Sequence, residues 1–403
     1  MKNSAALLNN SEINFKRLTA EDEIHIANFA KNVDLDKFEN LQSFGKSPQA
    51  KLMNTLEKEI DLFYSHKKIS ENCAKVIEFL DEEKYDLEGL AREARRMTKQ
   101  YFGNTIKLFT PLYISNYCEN GCTYCAFHRG NKIARKQLDE REIHEQCQRI
   151  AQTGLRQILV LTGEAQKFCS FEYIKNSLEI VSRYFPAVSI EVYPMTTEQY
   201  KILADEIGVD SVTMYQESYD RNVYEKYHPF GKKKDYSWRL NGLVRACEAG
   251  MRGVQLGALL GLGEPVNELA ALAINIDWLQ KNFPETEVSV SFPRIRPIEN
   301  GGKVKFFEIS DKFYARVIAA FRMVFPSLPI TLSTRETEKM RNGLLNFGVT
   351  KISAGVSTAV GESNDSGSQF QIADERGVDE IVAYLTENGF QAVFHDWDFN
   401  LVR

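Results

Sequence analysis

The sequence predicts an α/β fold: a (β/α)8 TIM-type barrel with an N-terminal helical extension. Three observations carry this. From residue 106 onward, eight short β-rich runs alternate with helix-length amphipathic stretches. Repeated βα units require parallel strands with right-handed crossovers, and eight of them suggest a closed barrel. No glycine-rich dinucleotide turn follows the first run, which weighs against an open doubly wound sheet, although periodicity alone does not separate the two. The residues just after the runs are unusually polar, as a barrel that gathers its active groups at the C-terminal strand ends requires.

The elements follow in order. Residues 1–85 are charge-rich and helical in pattern, and they carry no chemical motif. They read as a helical extension packed on a barrel of residues 86–403, with a partly disordered leader as the other reading of residues 1–20. Residues 86–100 form an amphipathic helix with Leu87, Leu90, Ala91, Ala94 and Met97 on one face. The eight runs are 106–115, 157–162, 188–193, 211–215, 253–260, 288–292, 329–333 and 350–354. Helices are expected near 139–153, 171–184, 197–206, 235–249, 266–282, 311–325, 337–345 and 377–388. The tail, His395-Asp396-Trp397-Asp398, is expected to cap one end of the barrel without chemistry of its own.

Composition narrows the function classes. A chain of 403 residues, 43% hydrophobic, is neither a disordered tail nor a disulfide-stapled miniprotein. Its net charge of −5 argues against non-specific nucleic-acid binding. No apolar run approaches the roughly 20 residues that span a bilayer. The N-terminus shows no signal-peptide pattern, and the seven cysteines are an odd number. A cytoplasmic setting is therefore expected, where clustered cysteines mean metal or catalysis more often than disulfides.

The polar groups after the runs are Cys118, Cys122 and Cys125; Glu164; Tyr193; Gln216 and Glu217; Glu264; Arg294 and Arg296; Arg335 and Glu336; and Ser353. The cysteines read C-x3-C-x2-C and place three thiols in one eight-residue loop. A structural zinc site needs a fourth ligand, for which His128 is the near candidate. Three thiolates on a [4Fe–4S] cluster instead leave one iron open to a substrate or cofactor. Tyr124 occupies the aromatic position before the last cysteine, and this pattern after strand one is the signature of radical S-adenosylmethionine enzymes. Cys73, Cys147 and Cys247 lie in helical patterns and read as buried packing residues, and Cys169 as a solvent-side loop residue.

From about residue 86 onward the chain resembles the 2-iminoacetate synthases of thiamine biosynthesis. The matching stretches are 102–118, 131–133, LTGE (161–164), MYQESY (214–219), GKKKDYSWRL (231–240), LGALLGL (256–262), SVSFPRIRP (289–297), LSTRE (332–336) and HDWD (395–398). The resemblance implies a complete barrel, a [4Fe–4S] cluster and S-adenosylmethionine. It also implies a reaction: radical cleavage of the Cα–Cβ bond of L-tyrosine to p-cresol and 2-iminoacetate. Thiazole synthase would accept the product, and flavodoxin or ferredoxin would donate electrons. Tyr124, Glu164, Glu217 and Arg239 would bind the cofactor, with an exposed ion pair as the other reading of Arg239. Residues 257–263 would let backbone approach the adenine. Arg335 and Ser353 would hold the tyrosine carboxylate, Arg294 would bind substrate or brace the rim, and Tyr193 and Tyr215 would face the ring. The alternatives are a related lyase acting on tryptophan and an iron–sulfur electron carrier. A tyrosine lyase of hydrogenase maturation would carry a second cluster on C-terminal cysteines, and no cysteine follows Cys247.

Overall fold

The computed structural model describes residues 49–66, 68–298, 306–361 and 367–394. The helical content expected of residues 1–48 and the tail 395–398 lie outside the described residues. Met53–Arg403 forms one compact unit, separate from Met1–Leu52.

Eight parallel strands close on themselves: β1 (Thr105–Ser115), β2 (Gln157–Thr162), β3 (Ala187–Glu191), β4 (Ser211–Thr213), β5 (Gly253–Gly257), β6 (Glu287–Ser291), β7 (Ile330–Leu332) and β8 (Lys351–Ser353). Each pairs with the next, and β1 pairs with both β2 and β8, which shuts the barrel. The sequence reading placed a run over every one of them. A ninth strand, β9 (Gln391–Val393), lies beside the start of β1 and was not anticipated, since three residues are too few to show a period.

Period-two alternation decides what the barrel interior contains. On β3, Val188 and Ile190 are buried on the outer side, whereas Ala187, Ser189 and Glu191 line the interior. The same alternation turns Phe109 and Tyr113 of β1, Gln255 of β5, Thr331 of β7 and Ser353 of β8 inward. A register slip between Tyr113 and Ser115 bends β1 just before the cysteine loop.

The helices are α1 (Gln49–Tyr64), α2 (Glu71–Leu80), α3 (Leu87–Phe102), α4 (Glu140–Gln152), α5 (Phe171–Val181), α6 (Thr197–Ile202), α7 (Arg221–Tyr227), α8 (Tyr236–Leu240), α9 (Gly242–Glu248), α10 (Pro265–Asn282), α11 (Asp311–Val324), α12 (Glu338–Leu344) and α13 (Val378–Glu387). Helix α3 starts where Asp86 accepts the Gly89 N–H, and it buries Leu90 and Ala94 against Ala319 of α11. Of the expected face, Leu87, Ala91 and Met97 are only half-buried. Helix α2 packs on α10 and α11, so this part of the expected extension belongs to the barrel unit.

Two expected helices are interrupted. The stretch 197–206 is α6 followed by a π-turn over Leu203–Ile207 that Gly208 ends in a left-handed conformation. The stretch 235–249 breaks at Asn241 into α8 and α9. Helix α7 was not anticipated, because seven residues carry too little periodicity. Among the described residues, no helix is long and apolar enough to cross a membrane.

Candidate active site

The cysteine loop lies over the C-terminal mouth of the barrel, tied down by backbone hydrogen bonds. The Glu119 N–H donates to the Glu164 carbonyl (3.0 Å), Gly121 N–H to Phe230 (3.1 Å) and Thr123 N–H to Tyr227 (3.2 Å). Gly163, at the end of β2, makes this approach possible. A Cβ there would collide with the Tyr117 carbonyl oxygen and sit 3.2 Å from the Cβ of Cys118. Gly163→Ala is therefore expected to cost about 1–3 kcal/mol of stability and to displace Cys118. Thermal unfolding and the iron content after reconstitution check this; unchanged values in both would refute it.

Cys118, Cys122 and Cys125 line one cavity together. Burial pushes the Cys118 thiol up to about 11 and raises the other two, so all three are protonated at neutral pH without a metal. Iron binding displaces those protons. Among the described residues, no three His, Cys, Asp or Glu side chains converge as they would on a single ion, and His128 does not line the cavity. A buried Thr162 hydroxyl in the cavity wall has no hydrogen-bond partner. Three sulfurs without a fourth ligand, beside an open cavity, fit a cubane cluster with one exposed iron and fit zinc poorly.

A buried charge network forms the opposite wall. Arg239 donates to Glu164 (2.7 Å) and to the Tyr215 carbonyl (2.8 Å), and its other nitrogen lies 3.8 Å from Glu217. Arg239 is thus not the exposed ion pair that its helical position allowed, because the break at Asn241 ends α8 and its last turn faces the cavity. Glu164 also accepts from Asn120 (2.9 Å), and Lys233 donates to Glu217 (2.6 Å). Burial works against the Glu217 charge, but Lys233 and Arg239 outweigh it and hold this carboxyl below its ordinary range. Glu217 has φ = 72°, a left-handed conformation that costs a non-glycine residue about 1–3 kcal/mol. Tyr124 lines the cavity with its ring while its hydroxyl meets His228 Nε2 at 2.6 Å. Burial lowers His228 to about 3, so the imidazole is neutral. Its Nδ1–H donates to the Tyr224 carbonyl, and Nε2 accepts from Tyr124.

The cavity continues into a second compartment inside the barrel. Glu191, Tyr215, Pro293, Arg335, Gln369 and Phe370 line both compartments and form the neck between them. The inner walls are Phe109, Tyr113, Leu159 and Leu161; its floor is polar, where Gln255 donates to the Tyr215 hydroxyl (3.1 Å) and accepts from Thr331 (2.6 Å). Arg335 stacks on the Phe370 ring with its guanidinium carbon 3.6 Å from the centroid, and it has no carboxylate partner among the described residues. The Ser353 hydroxyl lines this compartment, buried and without a hydrogen-bond partner. An unpaired guanidinium and an orphaned hydroxyl are what a carboxylate ligand would satisfy.

Other expected residues go elsewhere. Arg294 lines neither compartment. Its guanidinium is taken by buried Glu336, by Asp311 (2.8 Å) and by the Ile309 carbonyl (2.9 Å), so the expectation that it binds substrate is corrected to a rim brace. Arg296 shares Glu336. Glu264 caps α10, accepting from the Val266 and Asn267 N–H groups. Tyr193 is buried outside both compartments. Cys169 is fully buried rather than solvent-side. At Gly257 and Gly263 the close approach is to the chain's own Ser291 carbonyl and Glu268 carboxylate. Sequence reasoning missed Glu191, Lys233, Asn120, Gln369 and Phe370. The available sign for Glu191 was a lone carboxylate at an inward position of an apolar strand.

The chain matches the model of the radical SAM superfamily over residues 112–274 and that of the biotin and thiamin synthesis associated domain over residues 291–391. It is 37% identical to the 2-iminoacetate synthase of Salmonella typhimurium over 321 residues, 79% of this chain and 85% of that protein. The crystal structure of HydG, a maturase of the [FeFe]-hydrogenase, superposes with a TM-score of 0.78 at 30% identity, covering 92% of this chain and 82% of that one. Methylornithine synthase (PylB) shares the fold, with a TM-score of 0.66 at 23% identity, over 82% of this chain and all of that one. Three cysteines at the barrel mouth, two adjoining compartments, and identity across most of the length of a named relative lead to one assignment: this chain belongs to the 2-iminoacetate synthase family of radical S-adenosylmethionine enzymes.

Proposed function

We propose that this protein is a carbon–carbon lyase that cleaves the Cα–Cβ bond of L-tyrosine to 2-iminoacetate and p-cresol, for the thiazole moiety of thiamine. The observation that carries the reading is the two-compartment cavity. A three-cysteine, charge-lined chamber opens through Arg335 into an aromatic chamber with a polar floor. The cluster, when bound, supplies the electron that cleaves S-adenosylmethionine to methionine and a 5′-deoxyadenosyl radical.

The chain's own residues do the rest. Glu164 and Glu217 receive the cofactor's amino and ribose groups, and Arg239, Asn120 and Lys233 hold those carboxylates in place. Arg335 and Ser353 take the tyrosine carboxylate. The inner walls take the ring, and the Gln255–Thr331 floor meets the phenol. The neck keeps water from the reacting atoms. Thiazole synthase accepts the product, flavodoxin or ferredoxin supplies electrons, and the setting is cytoplasmic.

The test is anaerobic reconstitution followed by S-adenosylmethionine, a strong reductant and tyrosine. Formation of 5′-deoxyadenosine together with p-cresol is expected. 5′-Deoxyadenosine without p-cresol would overturn tyrosine as substrate and send the search to tryptophan. Neither product, from protein with an intact cluster, would overturn the enzyme reading in favour of an electron carrier.

A further inference from the structure

We infer that Glu191 is the amino-group partner of the substrate: it binds the ammonium at the neck and takes up the proton that must leave before an amine N–H can react. The inference rests on the reading of the site as an amino-acid lyase.

The placement follows from the strand. Glu191 is the last residue of β3 and the third inward position after Ala187 and Ser189, at the level where the two compartments meet. Arg335 lines the same neck from the end of β7. Among the described residues the Glu191 carboxylate has no hydrogen-bond or ion-pair partner, in contrast to Glu164, Glu217 and Glu336. A half-buried carboxylate left unpaired in a cavity is costly unless a ligand pairs it or it takes a proton.

An α-amino acid carries one carboxylate and one ammonium on the same carbon. Among the described residues, the neck offers a guanidinium and a carboxylate that pair with no other side chain. With the substrate carboxylate on Arg335 and Ser353 and its ring among Phe109, Tyr113, Leu159 and Leu161, the amino group is left beside Glu191. It then faces the chamber that holds Glu164, Glu217 and the cysteines, where the cofactor's reactive carbon belongs.

The proton step balances without any co-reactant. One N–H bond of the ammonium breaks, its pair stays on nitrogen, and an O–H bond forms on Glu191. A neutral amine with a lone pair remains, and it can stabilise the radical formed by loss of a second hydrogen. The charged surroundings set the balance of this transfer. Burial, and then Glu217, push Glu191 up to about 7, against Arg335, Lys233 and Arg239. Tyr113 and Tyr215 face it as neutral phenols, raised by burial. Such a carboxyl is ionised enough above neutrality to bind an ammonium and basic enough to keep its proton.

The test uses the reconstituted full chain, with cluster content and S-adenosylmethionine binding measured first. Glu191→Gln and Glu191→Ala are compared with wild type for binding of L-tyrosine and of 3-(4-hydroxyphenyl)propionate, which lacks the amine. Wild type is expected to prefer tyrosine, and to bind the desamino analogue better at pH 6 than at pH 8, since a neutral Glu191 needs no ammonium. Glu191→Gln is expected to lose this preference by roughly tenfold or more and to lose the pH dependence of analogue binding. It is also expected to lose about 10²-fold in kcat together with the acid limb of kcat/KM. Equal losses for tyrosine and analogue, or an unchanged acid limb, would overturn the inference. The binding ratio is read without turnover. Should wild type prove to use tryptophan, the same comparison with indole-3-propionate tests Glu191 independently of the tyrosine assignment.

Discussion

Alanine at Cys118, Cys122 or Cys125 is expected to abolish both the cluster and the formation of 5′-deoxyadenosine, each substitution alone being sufficient. The three thiols share one cavity wall, and Glu164 and Glu217 in the same chamber are already held by Arg239 and Lys233 rather than free to serve as spare ligands. Two thiolates hold a cubane far less well than three, and the ligand-free thiols are protonated at neutral pH, so iron must already compete with protons for each sulfur. The fold should survive the change, because these sulfurs face a cavity rather than the packed core. Iron and sulfide analysis, the absorption of the cluster and the yield of 5′-deoxyadenosine read the result, with far-UV circular dichroism as the fold check. Cys73→Ala is the control. It removes a fully buried thiol of α2, remote from the mouth of the barrel, and should leave the cluster intact. Substantial cofactor cleavage by any variant of the triad would remove it from the site.

Arg335→Ala is expected to leave the cluster and S-adenosylmethionine cleavage in place while tyrosine turnover collapses. The guanidinium is held flat over Phe370 at the neck and has no carboxylate partner among the described residues, so its worth is realised when a carboxylate arrives. Removing one member of a buried, hydrogen-bonded charge pair costs about 2–5 kcal/mol, which is roughly 30- to 5,000-fold in kcat/KM. Arg335→Lys should recover little of this, since an ammonium lacks the planar fork that meets a carboxylate with two parallel hydrogen bonds and stacks on an aromatic ring. Steady-state p-cresol formation, with 5′-deoxyadenosine measured in parallel, separates the two steps. Tyrosine turnover at the wild-type level would place the carboxylate anchor elsewhere.

The site divides by the distance over which its parts cooperate. The cysteine triad was legible because its chemistry is local: three residues in one loop, directly after a strand with its own period. Glu164, Glu217, Arg335 and Ser353 came into view by asking what stands at the ends of strands, a question that a barrel makes meaningful, and their proposed roles came from the family resemblance. Arg294 stood at a strand end as well, yet it is a brace. Nothing local distinguishes an arginine that awaits a ligand from one already taken by a carboxylate 42 positions away. Glu191 went unnoticed for the converse reason. It sits inside a run that reads as a strand, and its meaning comes from its having no side-chain partner among the described residues, which only the packed interior reveals.

The sequence by itself determined eight alternating strand and helix segments, the position of the cysteine loop and a resemblance to one family. The first two follow from patterns of short range, namely period two, helical amphipathicity and three thiols within eight residues, and the third from motifs spread along residues 102–398. Closure of the barrel is the pairing of β1 with β8. The tertiary structure alone decided which charges are paired and which are held open. It broke the expected helix 235–249 at Asn241 and so turned Arg239 inward to Glu164 and Glu217. It buried Cys169, joined two compartments through a neck, and left Arg335, Glu191 and Ser353 facing them without side-chain partners among the described residues. The physical reason is that the state of a buried polar group depends on what surrounds it in three dimensions, and those neighbours come from strand ends scattered over more than two hundred residues of chain.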